Sequence, residues 1–214
     1  MSYLLKGAKQ RLIATLRQKG IENNVLDAFE KVDRHKFIES FMWDKAYLDI
    51  PLKIKCNQTI SQPYTVAFQT QLLQIQKGEK VMEIGTGSGF QAAILSAMGA
   101  KVYTIERHEK LYRETKHLLE VIDHKIITFF GDGFNGIPQF APYDKIIVTC
   151  GAPSIPLALL KQLKINGLMV VPVGEDTQKM LRITKISEHE FFEEDFGDFV
   201  FVPMLSNTSF LKNA

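Results

Sequence analysis

Apolar residues recur at helical spacing through Leu4, Leu5, Ala8, Leu12, Ile13 and Leu16 and stop at Gly20, which predicts an opening helix. A shorter helix follows, with Asn23 or Asn24 as its cap and Val25, Leu26 and Phe29 turned inward. Between residues 33 and 56 no single period holds. Aromatics fall at Phe37, Phe41, Trp43 and Tyr47, and Pro51 breaks the run. This stretch reads as an irregular layer packed on a main domain. Its aromatics read as core residues rather than a stacking platform, because basic residues do not line up with them. From residue 79 the rhythm changes to alternating strand and helix. Strands are expected near 79–84, 101–106, 125–130, 143–150 and 167–173, with helices near 89–98, 108–122 and 154–164. That alternation predicts parallel strands joined by right-handed crossovers, hence a doubly wound α/β sheet. Residues 179–187 and 197–204 lack a helix between them and predict an antiparallel hairpin at one sheet edge. The acidic, aromatic stretch 188–198 reads as its solvated tip or loop.

The densest local signal is Val81-Met-Glu-Ile-Gly-Thr-Gly-Ser-Gly-Phe90. An apolar strand ends in an acid, meets glycines at 85, 87 and 89, and leads into a helix-compatible run. Glycines so spaced let the backbone turn tightly and approach a ligand closely. The helix N-terminus that follows favours a carboxylate or phosphate. A dinucleotide fingerprint would need its third glycine at Phe90, and a P-loop would need Gly-Lys-Ser/Thr; neither is present. What remains, an acidic-x-Gly-x-Gly-x-Gly turn, looks like the first motif of Rossmann-like S-adenosylmethionine-dependent methyltransferases.

Charge narrows the partners. A net charge of +2, from 26 basic and 24 acidic residues, makes no electrostatic case for nucleic acid or an anionic membrane. Lys6, Lys9 and Arg11 interrupt the first residues before a signal-peptide core could form, and no apolar run approaches the roughly 18 residues of a membrane span. Spacing alone leaves a disulfide between Cys56 and Cys150 open, but they form no C-x-x-C pair, and reduced thiols in a cytoplasmic protein are the default. The 214 residues suit a single domain, expected as a monomer: a helical, substrate-contacting elaboration over 1–64 and a cofactor-binding core over 65–214.

Ligands of such sheets sit beyond the carboxyl ends of the strands. The second strand ends in Glu106, 21 residues after Gly85, where an acid can accept hydrogen bonds from both ribose hydroxyls of an adenosine. A helix-capping or solvated Glu106 is the plainer alternative. The third strand ends in Gly131-Asp-Gly133, able to offer a carboxylate to an adenine amino group, although Asp-Gly is also a common turn pair. The fourth ends in the small residues Gly-Ala-Pro153, which leave room at a reacting centre. The histidines at 35, 108, 117, 124 and 189 form no metal-binding motif, so no metal is expected, and no G-x-S-x-G elbow is present. Upstream of the core, Gln58-Thr-Ile-Ser-Gln-Pro-Tyr64 offers two hydroxyls beside a proline, generically a cap for a helix over about 65–75.

That last segment completes a resemblance to the protein-L-isoaspartate O-methyltransferases. The matching pieces are Val32-Asp-Arg-His-Lys-Phe37, Gln58-Thr-Ile-Ser-Gln-Pro-Tyr64, Glu83-Ile-Gly-Thr-Gly-Ser-Gly-Phe90, Gly131-Asp-Gly133, Ala141-Pro-Tyr-Asp144 and Val170-Val-Pro-Val-Gly174. Thr149-Cys-Gly-Ala-Pro153 departs from a more alanine-rich family stretch, and the tail after Pro203 matches weakly, which leaves its contacts open. The resemblance implies a Rossmann-like methyltransferase fold with S-adenosylmethionine as cofactor and S-adenosylhomocysteine as product. It implies isoaspartyl peptides and damaged proteins as partners, repaired through methyl esters that close to succinimides. It makes Ser61 the residue that helps position the substrate carboxylate, with Thr59 and Ile60 beside it. Gly85, Gly87 and neighbouring backbone would hold the methionine moiety, Glu106 the ribose, and Asp132 with Gly133 the adenine. Glu83, Thr86, Ser88, Gly89 and Arg107 complete the implied cofactor set. Two alternatives remain at this point: the same fold acting on RNA, another side chain or a metabolite, and a non-catalytic cofactor-binding module.

Overall fold

The computed structural model describes residues 2–122 and 126–210. His124, and Lys125 at the start of the expected third strand, lie outside the described residues. Three helices come first, α1 (Tyr3–Gln18), α2 (Asn23–Lys31) and α3 (Pro63–Leu72). Between α2 and α3 run short 3-10 turns and a two-stranded ribbon of β1 (Leu52–Lys53) and β2 (Thr59–Ile60). The core follows as β3 (Lys80–Ile84), α4 (Phe90–Ala97), β4 (Lys101–Glu106), α5 (Glu109–Ile122), β5 (Ile126–Phe130), β6 (Tyr143–Val148), α6 (Leu157–Lys161), β7 (Leu163–Val173), β8 (Gln178–Lys185) and β9 (Phe191–Phe199).

The seven strands β3 to β9 form one sheet in the order β5-β4-β3-β6-β7-β8-β9. Pairings from β5 through β7 are parallel, and β8 and β9 add an antiparallel edge. Alternation sorts the strand side chains onto two faces. Val81, Ile147 and Val170 join the buried residues of α1, α2, α3 and α4, while Met82, Ile84, Ile146 and Val148 pack with Leu159 and Leu160 of α6. The chain leaves β3 first towards β4 and β5, then returns to its other side as β6. That switch point opens a crevice beyond the carboxyl ends of β3, β4 and β6.

Several local expectations shift for identifiable reasons. The α2 cap is Glu22, not Asn23 or Asn24, and no side chain caps it; the Glu22 amide instead donates to Gln71 Oε1 at 2.8 Å, a tertiary contact. The helix expected over 154–164 shrinks to Leu157–Lys161, because Pro156 delays its start and β7 begins at Leu163. The acidic stretch 188–198 is mostly strand β9 rather than a loop. Three of its acids are matched across the ladder at the exposed edge, Glu194 by Arg182 and Asp195 and Asp198 by Lys179, while 200–204 leaves the sheet. Phe37 and Tyr47 are core residues as expected, but Phe41 is 79% exposed and Trp43 41%.

Candidate active site

The crevice is an open cleft of about 860 Å³, part of it continuous with solvent. Its floor is the glycine turn between β3 and α4. The 58–61 segment, the end of β4 and the tail residues 202–205 form its walls.

The three glycines of the turn do different things. Gly85, at φ 97°, has no room for a side chain, because a Cβ would lie 2.8 Å from Thr149 Oγ1. That hydroxyl donates to the carbonyls of Ile84 and Gly85 at 2.9 and 2.8 Å, fastening the turn to the end of β6. Gly87, at φ 51°, gives its N–H to Glu106 Oε2 at 2.9 Å. Both glycines line the cleft, and so do Thr86 and Ser88. Gly89 does not. Its φ is 85° and a Cβ would meet Thr115 Cγ2 at 2.8 Å and Leu119 Cδ2 at 3.0 Å, so this glycine lets α4 approach α5.

Glu106 is 5% exposed and faces the cleft from the end of β4. One carboxylate oxygen accepts from the Gly87 amide, the other from the His108 amide at 2.8 Å. Holding the backbone just ahead of α5 and facing the ligand space are therefore two uses of one side chain. Each oxygen keeps a further lone pair for a ligand hydroxyl. The neighbouring Arg107 also lines the cleft, but its Nε donates to the Asn207 carbonyl at 2.9 Å, tying down the tail. His108, another wall residue, has its pKa lowered, chiefly by burial.

Asp132 stands apart from the cleft wall, which Gly133 reaches. Both Asp132 oxygens are engaged, Oδ1 by the Phe134 amide at 2.9 Å and Oδ2 by the Asn207 amide at 2.7 Å. Glu83 lies beneath the floor, fully buried, and does not line the cleft.

Thr59, Ile60 and Ser61 also line the cleft. The Ser61 hydroxyl caps nothing: α3 starts at Pro63 with Gln62 in the cap position, and the Tyr64 amide is taken by Asp49 Oδ1 at 2.8 Å. What holds Ser61 in place is its carbonyl, which accepts from the guanidinium of Arg34 at 3.0 Å. Arg34 is 1% exposed, also donates to the carbonyls of Ala46 and Ile50, and lies over the Phe90 ring at the start of α4.

Sequence reasoning left the tail open, and it is here that the structure adds most. Gly151 donates to the Val202 carbonyl at 2.8 Å and receives from the Met204 amide at 2.7 Å, which lays residues 202–205 along the cleft. Gln91 and Thr149 also line it without having been singled out; a glutamine inside a helix and a threonine at a strand end carry no sequence signal. Among the described residues no cluster of His, Cys, Asp and Glu is suited to a metal ion. His35 is buried against Tyr47, its Nδ1 2.9 Å from the phenol oxygen.

Residues 7–209 match the family model described as Protein-L-isoaspartate(D-aspartate) O-methyltransferase. A protein-L-isoaspartate O-methyltransferase of Christiangramia forsetii is 50% identical over 208 residues, covering 96% of this chain and 98% of its own length. The Flavobacterium psychrophilum enzyme of the same name is 50% identical, covering 94% of this chain and 96% of its own. Among solved structures, a protein-L-isoaspartate O-methyltransferase superposes with a TM-score of 0.86 at 27% identity, over 93% of this chain and 66% of that one. A Plasmodium falciparum protein described as a putative member, in complex with S-adenosyl-L-homocysteine, shares the fold with a TM-score of 0.81 at 24% identity, over 92% of this chain and 98% of that one.

Proposed function

Because this chain belongs to the protein-L-isoaspartate(D-aspartate) O-methyltransferase family, we infer that it methylates the free carboxylate of L-isoaspartyl residues in damaged proteins, with S-adenosylmethionine as donor. D-aspartyl residues, named in the family description, are proposed as a second acceptor. The observation that carries this reading is that one cleft joins the glycine turn to Ser61, whose hydroxyl has no partner among the described residues.

The residues present fit the cofactor. Gly85 and Gly87 bring backbone without side chains to the cleft wall, the α4 N-terminus favours a carboxylate, and the Glu106 carboxylate has lone pairs free. We assign Gly85, Thr86, Gly87 and Ser88 to the methionine moiety, Glu106 to the ribose and Gly133 to the adenine. Asp132 and Arg107 act through the backbone and tail they fix, and Gly89 through helix packing. When bound, the cofactor supplies an electrophilic methyl group on a sulfonium sulfur.

The rest falls to the chain. An isoaspartyl residue presents an α-carboxyl, with a pKa of roughly 3.3–3.7, so the nucleophile is ionised at neutral pH and no general base is required. Ser61 and its neighbours Thr59 and Ile60 orient that carboxylate towards the cleft floor, and the tail over 202–205 forms part of the wall around it. The methyl ester product closes to a succinimide unaided, and hydrolysis of the ring returns part of it to normal aspartate.

We further propose that the protein acts in the cytoplasm as a monomer and folds as one domain. Two free cysteines support the first, and a core cluster running from Leu12 through Val81 to Val170 supports the last. No helix among the described residues is long and apolar enough to cross a membrane.

Ser61→Ala tests the reading at the substrate end. A hydrogen bond to a charged group contributes about 1.5–3 kcal/mol, so kcat/KM for an isoaspartyl peptide is expected to fall roughly 10- to 100-fold. Cofactor affinity and melting temperature should stay near the wild type, since the hydroxyl caps no helix. An unchanged kcat/KM would remove Ser61 from the site.

A further inference from the structure

Beneath the cleft floor, Glu83 occupies a position that the direct cofactor contacts leave unexplained. It is 0% exposed, and neither carboxyl oxygen meets a donor in hydrogen-bonding geometry. Its register partner on β4 is Thr104, so the two side chains stand side by side on one face of the sheet. Thr104 Oγ1 lies 2.6 Å from Thr86 Oγ1, which is buried on one side and lines the cleft on the other. Glu83 is thus the register neighbour of Thr104, and Thr104 and Thr86 lead from there to the ligand space.

The direction of the hydrogen bonds along such a line is set at its buried end. A neutral carboxyl has one O–H to give, whereas a carboxylate only accepts. With Glu83 neutral, Thr104 accepts from it and donates to Thr86, whose own O–H is left to point into the cleft. With Glu83 ionised, Thr104 must donate to it, Thr86 donates to Thr104, and the cleft meets only oxygen lone pairs. The first arrangement adds a donor beside the amides of the glycine turn, where a carboxylate belongs; the second sets lone pairs against it.

We propose that Glu83 is a positioning residue that, as a neutral acid, works through Thr104 to aim the Thr86 hydroxyl as a donor at the carboxylate of the cofactor's methionine moiety. This rests on the cofactor reading of the cleft. Burial, with the Glu106 charge adding to it and Thr104 opposing, pushes the Glu83 carboxyl up to about 8. Among the described residues Glu106 is the charged group that acts on it. Its other register partner, Ile147, is apolar, and α3 and α4 contain no Asp, Glu, Lys, Arg or His. Nearby in the cleft wall, burial lowers the His108 pKa, away from the pH 7–9 range, and pushes the Cys150 thiol up to about 12, beyond it. The acid is therefore neutral at pH 7 and ionises as the pH rises through about 8.

The test is calorimetric titration of S-adenosylhomocysteine into the wild type, Glu83→Gln, Thr86→Val and Thr86→Ser at pH 7, 8 and 9. If only the neutral form binds, the wild-type affinity falls about tenfold from pH 7 to pH 9, following the neutral fraction. Glu83→Gln carries a permanent donor, so its affinity should fall about tenfold less over that range; any titration of the ligand itself is common to both proteins and cancels. Parallel profiles for the two proteins would overturn the proposal. Thr86→Val gives a second arm that does not depend on how Glu83→Gln folds. It should weaken binding about tenfold at pH 7 and lose the pH dependence, and Thr86→Ser should restore both. A Thr86→Val profile matching the wild type would also overturn the proposal. A wild type that binds no S-adenosylhomocysteine at any pH would overturn the cofactor reading and this inference with it.

Discussion

Glu106→Ala is expected to weaken S-adenosylhomocysteine binding roughly a hundredfold while leaving a folded protein. Two charge-assisted hydrogen bonds to ribose hydroxyls, at about 1.5–3 kcal/mol each, are lost, with water at the open cleft recovering part of the difference. A net loss of about 2.7 kcal/mol corresponds to two orders of magnitude in Kd. The same carboxylate holds the Gly87 and His108 amides, so the variant also loosens the turn that carries the methionine end. Glu106→Gln keeps one carbonyl oxygen and should fall between the two. Calorimetry at pH 7, with a thermal melt beside it, reads both effects. A Glu106→Ala variant with wild-type affinity would reduce this residue to a brace for the backbone ahead of α5.

Arg34→Ala should produce the largest loss of stability. The guanidinium is 1% exposed and satisfies the carbonyls of Ala46, Ile50 and Ser61, three acceptors from a segment with little regular structure. Burial lowers its pKa to about 10, which still leaves it charged at neutral pH. Removing it leaves buried acceptors unpaired and opens space against Phe90, and losses of this kind amount to about 3–5 kcal/mol. For a chain of this size that lowers the melting temperature by roughly 6–20 °C. Lysine should recover only part of it, because one ammonium cannot reproduce a planar fork that reaches three carbonyls. Since Ser61 hangs from this clamp, kcat/KM for the peptide should fall further than cofactor affinity does. A melting temperature within 2 °C of the wild type, a margin set by roughly 2–4 °C per kcal/mol, would contradict this account of how the segment is held.

The parts of this molecule written in periodic form were legible in the sequence. Alternation of short apolar runs with helical segments gave the parallel sheet, and the glycine turn with Glu106 gave the position of the cleft. Features that depend on distant partners were not. Residues 188–198 read as a loop because acidic residues disfavour strands in isolation, yet Lys179 and Arg182 on β8 pair with three of those acids across the ladder. Gly89 belongs visibly to a ligand-binding motif, but its reason for being glycine is the flank of α5, a contact no local pattern reveals. Ser61 sits where a helix cap should be, and only the fold shows that Asp49 has taken that work. The tail was the hardest part, because its function as a wall comes from backbone hydrogen bonds to Gly151, which leave no imprint on residue type.

The central claim is that this cleft transfers a methyl group to isoaspartyl carboxylates, and the most direct test is methyl transfer to a matched pair of peptides. One peptide carries a single isoaspartyl residue and the other a normal aspartyl residue in the same sequence, both with labelled S-adenosylmethionine. The account predicts label in the isoaspartyl peptide alone, released as methanol by mild base because the product is an ester. Equal labelling of the two peptides, or label that survives base, would contradict it.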